Sequence, residues 1–126
     1  TIFAGISPST HENMFVRPRI DNPQNMKWDE AMKYAANLNG NGYKDWRLPT
    51  FSELNILYQN RNQGALKDTF NKECASNAGC WYWSASENPE NGDFAQTQRF
   101  SDGLRDWNRK NTTYGSVRPI RLAPRL

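Results

Sequence analysis

The chain reads as an α+β domain, helices first and antiparallel strands afterwards, and three observations carry that reading. Apolar residues recur at helical spacing at Trp28, Ala31, Ala35 and Leu38. A nine-residue run, Trp46 to Leu54, combines a strand ending, a chain reversal and a helix start. From Cys80 onward, short strand-like runs alternate with turn dipeptides. Helices segregated from strands indicate α+β and not alternating parallel units.

Residues 1–25 contain Pro8, Pro18 and Pro23 and are expected to form an irregular arm with one short strand near Met14 to Arg17. The first helix should run from Trp28 to Leu38 and stop at Asn39-Gly40. A tight connector, Gly42 to Trp46, leads to the second helix. There Thr50 and Glu53 stand at capping-box spacing, each side chain satisfying the other's orphan backbone donor, and Pro49 keeps Leu48 out of helical geometry. The polar stretch from Gln59 to Asn77 is a long connection with one helical turn near Ala65 to Phe70, and so a candidate binding loop. Strands follow at Trp81 to Ala85, Phe94 to Phe100, Arg105 to Asn108 and Ser116 to Leu122, divided by Asn91-Gly92-Asp93, Asp102-Gly103 and Tyr114-Gly115.

With 126 residues, 5 Trp, 5 Tyr and 6 Phe, the chain suits a single domain, 1–126, with enough apolar area for one core. Mean hydropathy is −0.93, and no apolar run approaches the roughly 20 residues needed to cross a bilayer, so direct membrane insertion is not expected. The start at Thr1 reads as a processed product or an excised domain. The formal charge of +3 is unevenly placed. From Thr97 to the end, Arg99, Arg105, Arg109, Lys110, Arg118, Arg121 and Arg125 face only Asp102 and Asp106, a surplus of +5 against −2 for the rest. Such a skew concentrates field where an anionic partner would dock; its plainer reading is a solvated surface.

Cys74 and Cys80 enclose the small residues Ala75-Ser76-Asn77-Ala78-Gly79. A local disulfide there would contribute about 2 kcal/mol in the chain-entropy model and fix the entry to Trp81-Tyr82-Trp83; two free thiols are the alternative. Two cysteines and a distant His11 are too few for structural zinc. His11 reads as a surface residue, and Asp29-Glu30 as first-turn acids favoured by the helix dipole. Glu87-Asn88-Pro89-Glu90-Asn91-Gly92-Asp93 has the oxygen-rich composition of a calcium loop. Arg109 follows Trp107-Asn108 where a ligand would be wanted, so a plain turn is favoured and no cofactor is expected. No reactive Cys, Ser or carboxylate constellation supports an enzyme.

Trp28-Asp29-Glu30-Ala31, Leu38-Asn39, Gly42-Tyr43, Asp45-Trp46-Arg47-Leu48-Pro49-Thr50, Glu53-Leu54, Tyr82-Trp83-Ser84, Phe100-Ser101-Asp102-Gly103, Val117-Arg118 and Ile120-Arg121 together resemble the Lcl C-terminal domain-like family. The resemblance implies a C-type-lectin-like fold with two helices packed on a small twisted antiparallel sheet. It also implies bacterial secretion or display at the cell surface. In collagen-like adhesins it implies a homotrimeric head, carried on a stalk, that sticks to sulfated glycosaminoglycans. This chain departs from the family at Ala35 and Pro119, where many members carry a cysteine pair, and at Lys27, where a Thr N-cap is common and Asn25 is the substitute.

Arg engages sulfate through paired N–H donors, as it does phosphate. The candidate ligand-binding residues are therefore Arg105, Arg109, Lys110 and Arg125, then Arg99 and Arg118, with Asn108 and Asn111 as polar helpers. Strand alternation puts Arg118 and Arg121 on opposite faces, so one of the two is expected to be partly buried. Trp107 and Tyr114 are the aromatic candidates for exposed contact, whereas Trp46, Trp81 and Trp83 read as core. A protein-binding or diversified ligand-recognition domain is the rival function, and a sulfatase-modifying-type enzyme a more distant one. Nucleic acid is not expected as a partner for an extracellular domain.

Overall fold

The computed structural model describes residues 1–18, 25–39, 42–70, 80–112 and 115–125. Its elements are β1 (Ile2–Ile6), β2 (Asn13–Val16), α1 (Trp28–Ala36), α2 (Phe51–Asn60), a 3₁₀ turn (Gly64–Leu66), β3 (Trp81–Asn88), β4 (Asn91–Arg99), β5 (Arg105–Arg109) and β6 (Arg121–Ala123). The α+β class stands, but the strands form two sheets, ordered β1-β2-β6 and β3-β4-β5, each antiparallel.

α2 begins where the sequence places it. Thr50 Oγ1 accepts from the Glu53 N–H at 3.3 Å, and the Glu53 carboxylate accepts from the Thr50 N–H at 2.8 Å. α1 is shorter than expected, ending at Ala36 with Asn37 as its C-cap. Its N-cap is Lys27 and not Asn25; the Glu30 carboxylate accepts from the Lys27 N–H at 2.9 Å, but an ammonium has no lone pair to return the bond. Asn25 instead accepts from the Ser116 hydroxyl at 3.3 Å.

Two expectations fail at the chain's ends. The supposed arm contains β1, which pairs with β2 in register Phe3↔Phe15 and is bulged between Phe3 and Gly5. The final strand is only β6, and it pairs with β2 and not with the later strands. The buried run 115–120 acts as a strap between the sheets: Ser116 bridges Tyr82, Ile120 bridges Arg47 and Gly115 bridges Met26. Only glycine fits at 115, because a Cβ there would lie 2.6 Å from Trp83 Cδ1.

One core cluster, including Met14, Leu54, Leu57, Tyr82, Phe100 and Ile120, lies between β1-β2 and α2. Tyr82 and Phe100 ring centroids are 4.7 Å apart. A second cluster gathers Ala31, Ala35, Leu48, Trp83, Ala95 and Val117 under α1. Ala35 and Pro119 are both buried, so apolar packing occupies both positions. Trp46, Trp81 and Trp83 are buried as expected. Cys80 is buried and disulfide-bonded; Cys74, its expected partner, lies outside the described residues.

A basic edge strand and its adjoining cleft

β5 is an edge of its sheet, held only by β4 among the described residues. Strand alternation sends Arg105, Trp107 and Arg109 to one face, so that the outer two Cα atoms lie about 13 Å apart. All three are exposed. Each arginine rests on a ring: Arg105 Cζ lies 4.6 Å from the Phe51 centroid, and Arg109 Cζ lies 4.9 Å from that of Phe94, its neighbour on β4. The rings hold the stems and leave guanidinium N–H groups to solvent. Asn108 points the other way and donates to Thr97 Oγ1 at 2.7 Å, which makes it part of the sheet.

Beyond Arg109 the strand turns into a cleft of about 480 Å³ lined by Lys27, Asp29, Asp93, Arg109, Lys110 and Asn111. Backbone bonds bring its walls together: the Lys110 carbonyl accepts from the Trp28 N–H at 3.1 Å, and the Lys110 N–H donates to the Asp93 carbonyl at 2.9 Å. The start of α1 is thereby placed beside the end of β5. Lys110 is partly spoken for, with its Nζ 3.0 Å from Glu87 and 4.2 Å from the Trp28 centroid.

The remaining candidates disperse. Arg118 is fully buried: Nη1 donates to the Thr69 carbonyl and Nη2 to the Arg17 carbonyl, both at 2.7 Å, above the Phe70 ring. It is therefore a core residue, and this corrects its placement at a ligand-facing surface. Arg99 Nε donates to Asp102 at 2.9 Å. With the Leu104 N–H, that guanidinium lowers the Asp102 carboxyl to about 2. Arg121 pairs with Asp45 at 3.0 Å and lies 3.6 Å from the Tyr43 centroid; the hydrogen bond from Arg121 holds the Asp45 carboxyl below its ordinary range. Arg125 is exposed beyond β6, in the other sheet. Tyr114 lies outside the described residues. Lys27, Asp29 and Asp93 escaped the sequence reading as site residues because only tertiary pairing carries them to Arg109.

The oxygen-rich loop is the β3–β4 hairpin. Asn88 Oδ1 accepts from the Glu90 N–H at 2.9 Å and Asn91 Oδ1 from the Asp93 N–H at 3.0 Å, so both amides serve the turn. Among the described residues no three His, Cys, Asp or Glu side chains gather as a metal site. His11 is exposed in the β1–β2 connection, at φ 63°.

Chemically, the stripe and cleft offer charged donors from Arg105, Arg109 and Lys27, a ring face from Trp107, and acceptors from Asp29, Asp93 and Asn111. No curated protein is similar enough to supply a relative. The family model of the Lcl C-terminal domain matches residues 9–121, a span running from the β1–β2 connection to the first residue of β6 and including the whole stripe and cleft. With nine-tenths of its length accounted for in this way, the chain belongs to the Lcl C-terminal domain family.

Proposed function

We propose that the domain is a non-enzymatic, extracellular bacterial adhesin head with a C-type-lectin-like scaffold. It binds sulfated glycosaminoglycans or similar polyanionic polysaccharides along β5 and its cleft, as a homotrimer. The carrying observation is the exposed Arg105-Trp107-Arg109 stripe opening into a cleft that adds Lys27 and Lys110. Sulfates would meet the guanidinium forks and sugar faces the Trp107 ring. One such site is small, and threefold repetition converts weak contacts into avidity. Secretion or surface display fits the family, and no helix among the described residues is long and apolar enough to cross a membrane.

Binding to immobilised heparin across a salt series tests the proposal, with unsulfated hyaluronan as control. Wild-type domain should be retained at low salt and released as salt rises. Arg109→Ala/Lys110→Ala should lower affinity by about tenfold or more. Equal retention on hyaluronan, or no effect of the double variant, would overturn it.

A second reading, a protein-recognition domain, is favoured by the outer face of the other sheet. Phe3, Phe15 and Arg121 lie in one cross-strand row there, next to Tyr43; Phe3 is 54% and Tyr43 44% exposed. Salt-insensitive capture of one protein partner, abolished by Phe3→Ser, would support that reading.

A further inference from the structure

The cleft is not uniformly basic, and its acids are the informative part. Asp29 enters from the first turn of α1 and Asp93 from β4, and both line the space into which Lys27 and Arg109 project. Among the described residues neither carboxylate is tied up by a hydrogen bond or ion pair. Elsewhere, Asp102, Glu87 and Asp45 are each paired with a neighbouring cation, Arg99, Lys110 and Arg121 respectively. A surface built only to attract negative charge would not place two unpaired carboxylates beside its exposed cations.

We infer that Asp29 and Asp93 are specificity residues which make the cleft select a sugar unit with one sulfate flanked by free hydroxyls, over a densely sulfated one. This rests on the polyanion-binding reading above. Arg109 and Lys27 supply charged donors to the single sulfate. The carboxylates of Asp29 and Asp93 and the Asn111 amide accept from adjacent hydroxyls, and an O–H to carboxylate bond is among the stronger hydrogen bonds. A second sulfate where a hydroxyl should be would replace that bond with like-charge repulsion at short range. The volume, about 480 Å³, lies within the usual range for small-molecule sites.

The test compares a fully sulfated heparin octasaccharide with the same octasaccharide stripped of most of its sulfates, titrated against wild type, Asp29→Asn, Asp93→Asn, the double variant and Asp106→Asn. The last removes an equal charge from β5 outside the cleft. Thermal melts establish that each variant is folded. Wild type should gain less than about threefold from the extra sulfates, and the double variant about tenfold or more, with loss of affinity for the sparsely sulfated ligand. Asp106→Asn should keep the wild-type ratio. A steep preference for sulfate density in wild type, or the same change in ratio from Asp106→Asn as from the cleft variants, would overturn the inference and leave polyanion binding intact. Absence of binding to either octasaccharide at low salt would bring down the polyanion reading itself.

Discussion

Arg99 and Arg118 show how little a count of cations reveals about a surface. Arg99 is committed to Asp102, so Arg99→Ala should change heparin affinity less than about twofold, because the removed charge was already compensated nearby. Arg118 is fully buried among carbonyls and the Phe70 ring. Arg118→Ala should cost about 3 kcal/mol of stability in urea denaturation, because it leaves two carbonyls without donors and a cavity beside Phe70. The ligand affinity of the folded variant should be unchanged. At this scale the sequence gives residue type and spacing, from which the exposure of Trp107 and the cations of β5 are legible. It does not give pairing partners, since Asp45 meets Arg121 and Glu87 meets Lys110 only across the fold.

Elements are where local sequence rules work best and where one buried charge matters most. The capping box of α2 is legible because its two residues are three apart in sequence. Glu53 has a second role that is not local. With its side chain at 0% exposure, it also accepts from Ser7 Oγ at 2.6 Å and from Arg47 at 2.8 and 2.9 Å, which ties the β1–β2 connection and the strand-like Arg47 to the start of the helix. Burial pushes the Glu53 carboxyl up, but Arg47, Ser7 and the Thr50 N–H outweigh it and hold the group below its ordinary value. A lowered folded-state pKa means stability that is complete above the ordinary glutamate value of about 4.3 and is lost as pH falls through the depressed one. Urea midpoints should therefore drop with acid below about pH 4, and Glu53→Gln should flatten that dependence while lowering stability at pH 7. Arg47→Ala should cost about 3 kcal/mol, because it leaves Glu53 buried without its cation.

Across the whole molecule, the 115–120 strap decides that two three-stranded sheets behave as one body. It bridges Tyr82 of one sheet, Arg47 before α2 and Met26 before α1, and then runs into β6 of the other sheet. Gly115→Ala should destabilise by about 1–3 kcal/mol, since its Cβ would meet the Trp83 ring. Because the strap couples both sheets, unfolding followed by Trp fluorescence and by far-UV circular dichroism should still coincide. The sequence by itself determined the α+β class, both helices with the cap of α2, the strands β3 to β5 and the family, because helical periodicity, turn dipeptides and capping spacings act over a few residues. Tertiary structure alone decided the partition into two sheets, the β1–β2–β6 pairing, the burial of Arg118 and the meeting of Lys27, Asp29, Asp93 and Arg109 in one cleft. These depend on contacts between residues far apart in the chain, where no local spacing rule reaches and only the packing of the whole selects one arrangement.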